Sequence, residues 1–198
     1  AADFSRLTDV EWRRSHESHN GLFVAEGAKV IGRAFELGYK PREILTTQKW
    51  IDSLPAELLD QAKLHLVSDA EIESITGFNV HRGALASFHR PESKTLHEVV
   101  RTAQSVAILE GLVDHENVGA IFRSAAGLGI DAIVITEDCA DPLYRRSIKT
   151  SMGATLVMPY ARVSSVRTAI SEMSEFTFFG LALQAEEELM TATFDDSP

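Results

Sequence analysis

An asparagine, a glycine and an arginine follow an apolar run in the middle of the chain, in the order Asn117, Gly119 and Arg123. The arginine is a permanent cation, because a guanidinium keeps its proton at physiological pH. The asparagine can cap a helix, and the glycine allows another backbone or a ligand to come close. This set suits the binding of a ligand beside the start of a helix. An equally consistent interpretation is a capped helix that carries a surface arginine.

The elements that would position these residues form a strand–loop–helix–strand unit. The apolar run 105–110 is rich in β-branched residues and predicts a buried strand, which we expect at the centre of its sheet. A loop over 111–119, a helix over 120–128 and a second buried strand over 131–136 are predicted to follow. In parallel units of this kind, ligands sit at the carboxyl ends of the strands. Arg123 would then lie about one turn into the helix and reach back to the loop. The loop lacks the glycine patterns of dinucleotide and phosphate loops.

The stretch from Asp114 to Ala126 resembles motif 1 of the SpoU family of RNA 2′-O-ribose methyltransferases, within the SPOUT superfamily. The shared order, Asn-x-Gly-x-Ile-x-Arg-Ser-Ala, is far more specific than a lone pair of glycines. A second match lies further on and resembles motif 2 of the same family. It consists of Lys149, Ser151, Gly153 and Ala154.

The resemblance implies methyl transfer from S-adenosylmethionine to a ribose 2′-hydroxyl, with Asn117 and Arg123 as catalytic residues. Because the guanidinium stays protonated, we interpret Arg123 as the group that holds the adjacent phosphate and stabilises the developing alkoxide. Asn117 would orient Arg123 or the ribose. The implied partners are rRNA or tRNA, and the complete protein is expected to be a homodimer. Two alternatives remain open: a non-catalytic RNA-binding protein, and a small-molecule α/β module of flavodoxin type.

A basic segment precedes motif 2 and is predicted to be a short helix over 143–150. Its cations Arg145, Arg146 and Lys149 form the best local candidate for contact with RNA phosphates. Acidic residues lie close by in the sequence, so a salt-bridge network is the alternative. They are Glu137, Asp138 and Asp141.

The first half of the chain alternates strand and helix patterns, including a capping box at Ser68 and Glu71. Residues 1–92 resemble the RNA substrate-binding domain that precedes the catalytic domain in many SpoU proteins, a ribosomal-protein-like α/β sandwich. The methyltransferase domain would then occupy 96–198, after a linker broken by Pro91. The candidate RNA-binding residues in the first half are Lys29 and Arg82, followed by His81, His89 and Arg90. For each of them, an ordinary surface charge is the alternative.

The end of the chain is predicted to contain a strand over 155–159, a helix over 163–173 and a buried strand over 176–183. The resemblance stops there, before the family's third motif, which supplies the knot, most of the S-adenosylmethionine pocket and much of the dimer interface. We therefore expect a truncated member with an incomplete α/β knot. In it, Leu183 is the one remaining cofactor contact, and the 198-residue chain is inactive and binds the cofactor weakly.

Composition bounds these interpretations. The 198 residues are 44% hydrophobic and include one cysteine, which excludes an internal disulfide and a multi-cysteine metal site. We find neither a membrane-length apolar run nor a signal peptide and expect a cytoplasmic protein. The net charge of −10 argues against non-specific binding of nucleic acid, so RNA would have to meet local basic clusters.

Overall fold

Residues 2–5, 7, 20–78, 80 and 83–181 are described by a computed structural model, and within them the chain forms two separate β-sheets. The first sheet consists of β1 (Leu22–Glu26), β2 (Pro41–Thr46), β3 (Lys63–Leu66) and β4 (Ala84–His89). Its order is β1-β4-β2-β3, with β4 antiparallel to both neighbours and β3 parallel to β2. Three helices accompany it: α1 (Ala28–Glu36), α2 (Ala56–Gln61) and α3 (Asp69–Thr76). The predicted capping box is confirmed, since Ser68 and Glu71 bond reciprocally at the start of α3.

The second sheet is parallel throughout, as the sequence predicts. Its strands are β5 (Val106–Leu109), β6 (Ala132–Thr136) and β7 (Tyr160–Val163), in that order. The accompanying helices are α4 (Leu96–Val100), α5 (His115–Leu128), α6 (Arg145–Thr150) and α7 (Val166–Glu172). The expectation that the strand at 105–110 is central is wrong for the described residues, because β6 pairs on both of its sides and β5 on one. β6 is accordingly buried along its whole length.

Three predictions for the end of the chain are wrong. The strand expected at 155–159 is instead a 3-10 turn, Ala154–Leu156, because Gly153 takes a left-handed conformation (φ 82°) and the chain coils after it. The strand follows as β7, so the helix expected from 163 begins later, where Ser165 accepts a hydrogen bond from the Thr168 amide. Of the strand expected at 176–183, the described residues 176–181 form no strand. Phe176 is half-buried against the cluster that contains Ala132 and Val134, and residues 177–181 are exposed rather than buried.

The two sheets meet through α6 and the turn after it. Leu143, Ile148 and Leu156 belong to the same buried cluster as Phe23 and Phe88 of the first sheet. The hydroxyl of Tyr39 donates a hydrogen bond to the Leu156 carbonyl oxygen at 3.0 Å. The second half of the chain therefore rests on the core of the first half.

The described residues contain no helix that is both long and apolar enough to cross a bilayer. In the same residues, no group of three or more His, Cys, Asp or Glu side chains is arranged to bind a metal ion.

Candidate functional site

The helix that carries the Asn117–Arg123 motif begins earlier than predicted. Asp114 is its N-cap, and a carboxylate oxygen of Asp114 accepts hydrogen bonds from the amides of Glu116 (2.7 Å) and Asn117 (2.9 Å). These two bonds, with that of Asn117 the stronger influence, lower the pKa of Asp114. The prediction that Asn117 caps the helix is therefore wrong: Asn117 is the third residue of α5, and its side chain is left exposed. The predicted end at Gly129 is confirmed by a left-handed C-cap.

Arg123 lies further from the loop than expected. It is the ninth residue of α5, about 12 Å along the axis from the first one at a rise of about 1.5 Å per residue. Its side chain is exposed and makes no hydrogen bond or ion pair with another described residue. The expectation of a position one turn into the helix is wrong, because α5 begins at His115 rather than at 120. Asn117 and Arg123 lie about 9 Å apart along the axis and about 120° apart around it.

Gly119, between these two residues, is where α5 crosses α6. A β-carbon placed on Gly119 would lie 2.6 Å from the Ser147 carbonyl oxygen and 3.0 Å from the Thr150 β-carbon. Only a residue without a side chain allows this approach. The predicted close approach at Gly119 is therefore confirmed, and the neighbour is the backbone of α6.

The loops at the carboxyl ends of β5 and β6 are bonded to each other. The Thr136 hydroxyl accepts a hydrogen bond from the Gly111 amide at 3.0 Å and donates one to Asp138. The buried Cys139 thiol donates to the Leu109 carbonyl oxygen at 3.3 Å. The Arg162 guanidinium lies within 3.0–3.2 Å of three carbonyl oxygens of the second loop, those of Thr136, Glu137 and Cys139. Arg162 thus holds the loop after β6, and the bond between Gly111 and Thr136 ties the loop that leads into α5 to it. Sequence reasoning did not identify Cys139 and Arg162, because their bonding partners are distant along the chain.

The basic helix α6 does not present all its cations to solvent. Arg145 and Lys149 both pair with the buried carboxylate of Glu26, and the bond from Lys149 Nζ measures 2.8 Å. Burial alone would raise the pKa of Glu26, but the Lys149 hydrogen bond and the charges of Arg145 and Lys149 outweigh it and lower the pKa. The Arg145 guanidinium also lies 4.4 Å from the ring centre of Phe78. The alternative of a salt-bridge network is confirmed for Arg145 and Lys149, but their acidic partner is Glu26. Of the acidic residues expected as partners, Asp141 pairs with Arg90 and Asp138 bonds to Thr136.

The other predicted cations differ in what they contact. Lys29, Arg146 and His89 are exposed. Arg90 bonds to the Leu22 carbonyl oxygen and pairs with Asp141, both at 2.6 Å. His81, Arg82 and the predicted cofactor contact Leu183 lie outside the described residues.

A cleft of about 910 Å³ opens between the two halves. Its lining comes from residues 37–39, the linker at 90–94, the loop at 137–141 and the residues around the turn at 155–160, together with His115 and Tyr144. The rings of His115 and Tyr144 are 4.0 Å apart, so the first residue of α5 is held against the start of α6. Tyr160, on the cleft wall, has its pKa raised by burial to about 12 and remains neutral at physiological pH.

Residues 104–197 match the SpoU rRNA Methylase family. An uncharacterized tRNA/rRNA methyltransferase of Mycobacterium tuberculosis is 36% identical over 182 residues, which is 91% of this chain and 63% of that protein. The 23S rRNA (guanosine-2′-O-)-methyltransferase RlmB of Xanthomonas campestris is 28% identical over 161 residues, 75% of this chain and 65% of that protein. The chain thus spans less than two thirds of the length of these relatives.

Solved structures show the same fold. The AdoMet-bound rRNA methyltransferase of Sinorhizobium meliloti matches with a TM-score of 0.68 at 22% identity, over 81% of this chain and 59% of that one. The SpoU methyltransferase AviRb of Streptomyces viridochromogenes, in complex with the cofactor AdoMet, has a TM-score of 0.68 at 20% identity, over 82% and 62%. The predicted α/β class is confirmed by this likeness. The match over 104–197 relates the second half of the chain to the SpoU rRNA Methylase family, and the likeness to the solved structures supports the fold.

Proposed function

We propose that this protein is an RNA 2′-O-ribose methyltransferase that uses S-adenosylmethionine and acts on rRNA or tRNA. The observation that carries the proposal is the state of α5. Gly119 holds this helix against α6, while Asn117 and Arg123 on either side of it remain exposed to a substrate. Relatives whose names specify 2′-O methylation of guanosine in rRNA support the ribose hydroxyl as the acceptor.

In the proposed reaction, Arg123 binds the phosphate next to the target ribose and stabilises the negative charge that develops on the 2′-oxygen. A guanidinium suits this role better than the role of a base, because it keeps its proton at physiological pH. Asn117 orients the ribose through its amide. Holding the hydroxyl in line for displacement supplies much of the rate enhancement.

We propose that the large cleft does not hold S-adenosylmethionine. The large cleft is a poor fit, because its guanidinium groups are already committed: Arg90 to Asp141, and Arg162 to the loop carbonyls. We therefore assign no described residue to the cofactor and keep Leu183 as the predicted contact. For the 198-residue polypeptide by itself we propose weak cofactor binding and no useful activity. A calorimetric titration of this polypeptide with S-adenosylmethionine tests this, and a micromolar dissociation constant would contradict it.

We further propose that residues 1–92 bind the RNA substrate and that 96–198 belong to the methyltransferase domain. The separate sheets and the linker between them support this division. Lys29, Arg146 and the exposed part of Lys149 are the proposed phosphate contacts. Arg145 is a weaker candidate than its sequence position suggests, since its side chain is 11% exposed and paired with Glu26. A cytoplasmic homodimer remains the proposed state of the complete protein.

The test is methyl transfer by the protein expressed from its complete reading frame. It is incubated with labelled S-adenosylmethionine and unmodified rRNA or tRNA, and the product is hydrolysed with alkali, which leaves the linkage after a 2′-O-methylated ribose intact. We expect Arg123→Ala to lower the rate by roughly 10²-fold or more, the typical loss for a group that stabilises transition-state charge. Thermal stability should change little, because Arg123 is exposed.

The matched control is Arg167→Ala, which removes another exposed helical arginine and should leave the rate unchanged. RNA binding without methyl transfer by the wild-type protein would favour the non-catalytic alternative.

A further inference from the structure

We infer that Glu26 is a positioning residue for the catalytic helix: from the first sheet, it holds α6 in place and, through α6, α5. This inference rests on the proposed function, since it assigns Glu26 a part in the same reaction. It is carried by an unbroken series of contacts from β1 to Gly119.

The series of contacts begins at the ion cluster around Glu26. Its side chain is 3% exposed at the end of β1, and each of its two carboxylate oxygens binds a different cation of α6: Oε2 binds Arg145 and Oε1 binds Lys149. Because these cations are four residues apart, they lie on one face of α6, and two anchor points on one carboxylate fix the rotation of the helix about its axis.

Helix α6 depends on contacts with the rest of the protein for its stability. It has only six residues, and its N-cap, Tyr144, makes no side-chain hydrogen bond to the helix. A helix of this length is not stable without tertiary contacts. Ile148 packs into the core of the first sheet, but an apolar side chain holds a helix down without fixing its orientation. The Glu26 cluster supplies that direction.

The series of contacts ends at the crossing of α6 with α5. The residues of α6 that touch Gly119 are Ser147 and Thr150, and they lie between and beside the two cations that Glu26 binds. The contact is backbone to backbone, so a rotation or shift of α6 cannot be absorbed by a side-chain rotamer. It must move Gly119, and with it the exposed residues Asn117 and Arg123.

Removing the carboxylate would leave Arg145 with a charge that is buried and uncompensated. Its Nε atom already has no hydrogen-bond partner among the described residues, and its guanidinium is held between Glu26 and the Phe78 ring. A buried cation without its partner moves towards water. We therefore expect the neutral variant Glu26→Gln to displace α6 rather than only weaken it.

The experiment compares Glu26→Gln with Glu43→Gln in the protein expressed from its complete reading frame. Glu43 is a suitable control because it lies in the same sheet and its carboxylate contacts His65 of the neighbouring strand. At a temperature where both variants are folded, we expect Glu26→Gln to lower kcat at least tenfold with little change in the KM for S-adenosylmethionine. Hydrogen–deuterium exchange across 115–128 should become faster. Glu43→Gln should change neither quantity.

A double-variant cycle tests whether Glu26 acts through Arg145. If it does, Arg145→Met lowers kcat by a similar factor, and Glu26→Gln/Arg145→Met is no worse than the more affected single variant. Should Glu26→Gln fail to fold, the double variant replaces it, because a neutral pair leaves no buried charge. A wild-type kcat in a folded variant without Glu26 would overturn the inference.

The exchange measurement separates this inference from the proposed function. If the wild-type protein transfers no methyl group, the proposed function fails, and exchange in 115–128 alone decides the role of Glu26. Unchanged exchange there in Glu26→Gln would show that the ion cluster stabilises the first sheet without positioning α5.

Discussion

Gly119→Ala tests the contact on which the geometry of the site depends. The added β-carbon would lie 2.6 Å from the Ser147 carbonyl oxygen, whereas ordinary contacts begin at 3.4 Å, so the helices must separate by about 0.8 Å (3.4 − 2.6) at this point. The obstructing atoms belong to backbone and to a β-carbon, so no rotamer change relieves the contact. Overpacking of this kind costs about 1–3 kcal/mol, and the better helix propensity of alanine offsets about 1 kcal/mol of it.

Gly127→Ala is the matched control, because it makes the same change in the same helix where no atom lies within 4 Å of the new β-carbon. It should stabilise the protein by up to about 1 kcal/mol. We expect the two variants to differ by about 1–3 kcal/mol in the free energy of unfolding, measured by urea denaturation with comparable m-values. Gly119→Ala should also lose methyl transfer, since it displaces the helix that carries Arg123. Equal stability of the two variants would refute the crossing of α5 and α6.

Two further predictions concern charge. Because the pKa of Glu26 is lowered in the folded state, its contribution to stability is present above its ordinary pKa of 4.5 and is lost as the pH falls through the folded value; the advantage of the wild type over Glu26→Gln in urea denaturation should therefore shrink in acid, and a constant advantage would contradict this. Arg146→Ala should reduce the salt dependence of RNA binding by about one unit of slope, as expected for one lost phosphate contact; an unchanged slope in a filter-binding titration would remove Arg146 from the interface.

Local signals in the sequence predicted local structure well. The capping box at Ser68 works within four residues, and Gly129 ends α5 through its own backbone conformation. The parallel unit around β5 and β6 follows from two apolar runs with a helix between them. None of these features depends on a distant partner.

The start of α5 could not be decided locally, since Asp114 and Asn117 are both good N-cap residues. Beginning the helix after Asp114 makes His115 its first residue, and the His115 ring packs 4.0 Å from the ring of Tyr144 at the start of α6, so packing favours the earlier cap. The turn at 154–156 has a similar explanation. Its residues form an apolar run that favours a strand, but Leu156 is drawn into the core of the first sheet, which outweighs strand propensity.

Sequence reasoning did not identify Glu26, because its partners are far from it along the chain. It precedes its partners Arg145 and Lys149 by 119 and 123 residues, and nothing near it in the sequence marks it as a ligand for cations. The basic segment was found, but its charges were assigned to phosphate because the acidic residues nearest in sequence are not those nearest in space. Asp141 pairs with Arg90, and Asp138 bonds to Thr136.

The three cations of α6 differ in burial and pairing, and this difference affects how an acidic protein would bind RNA. The side chain of Arg145 is 11% exposed and paired with Glu26. Lys149 pairs with the same carboxylate, but its side chain is 56% exposed, and Arg146 is exposed to solvent. In a chain with a net charge of −10, each exposed cation matters more, because the remaining surface repels phosphate. The same carboxylate that orients α6 therefore limits how many of its charges reach the substrate. Replacing Glu26 would free two cations for RNA while releasing the helix that positions Arg123. We therefore expect a variant without Glu26 to bind RNA more tightly and to transfer the methyl group more slowly. If α6 served only to bind RNA, tighter binding would not be accompanied by slower transfer.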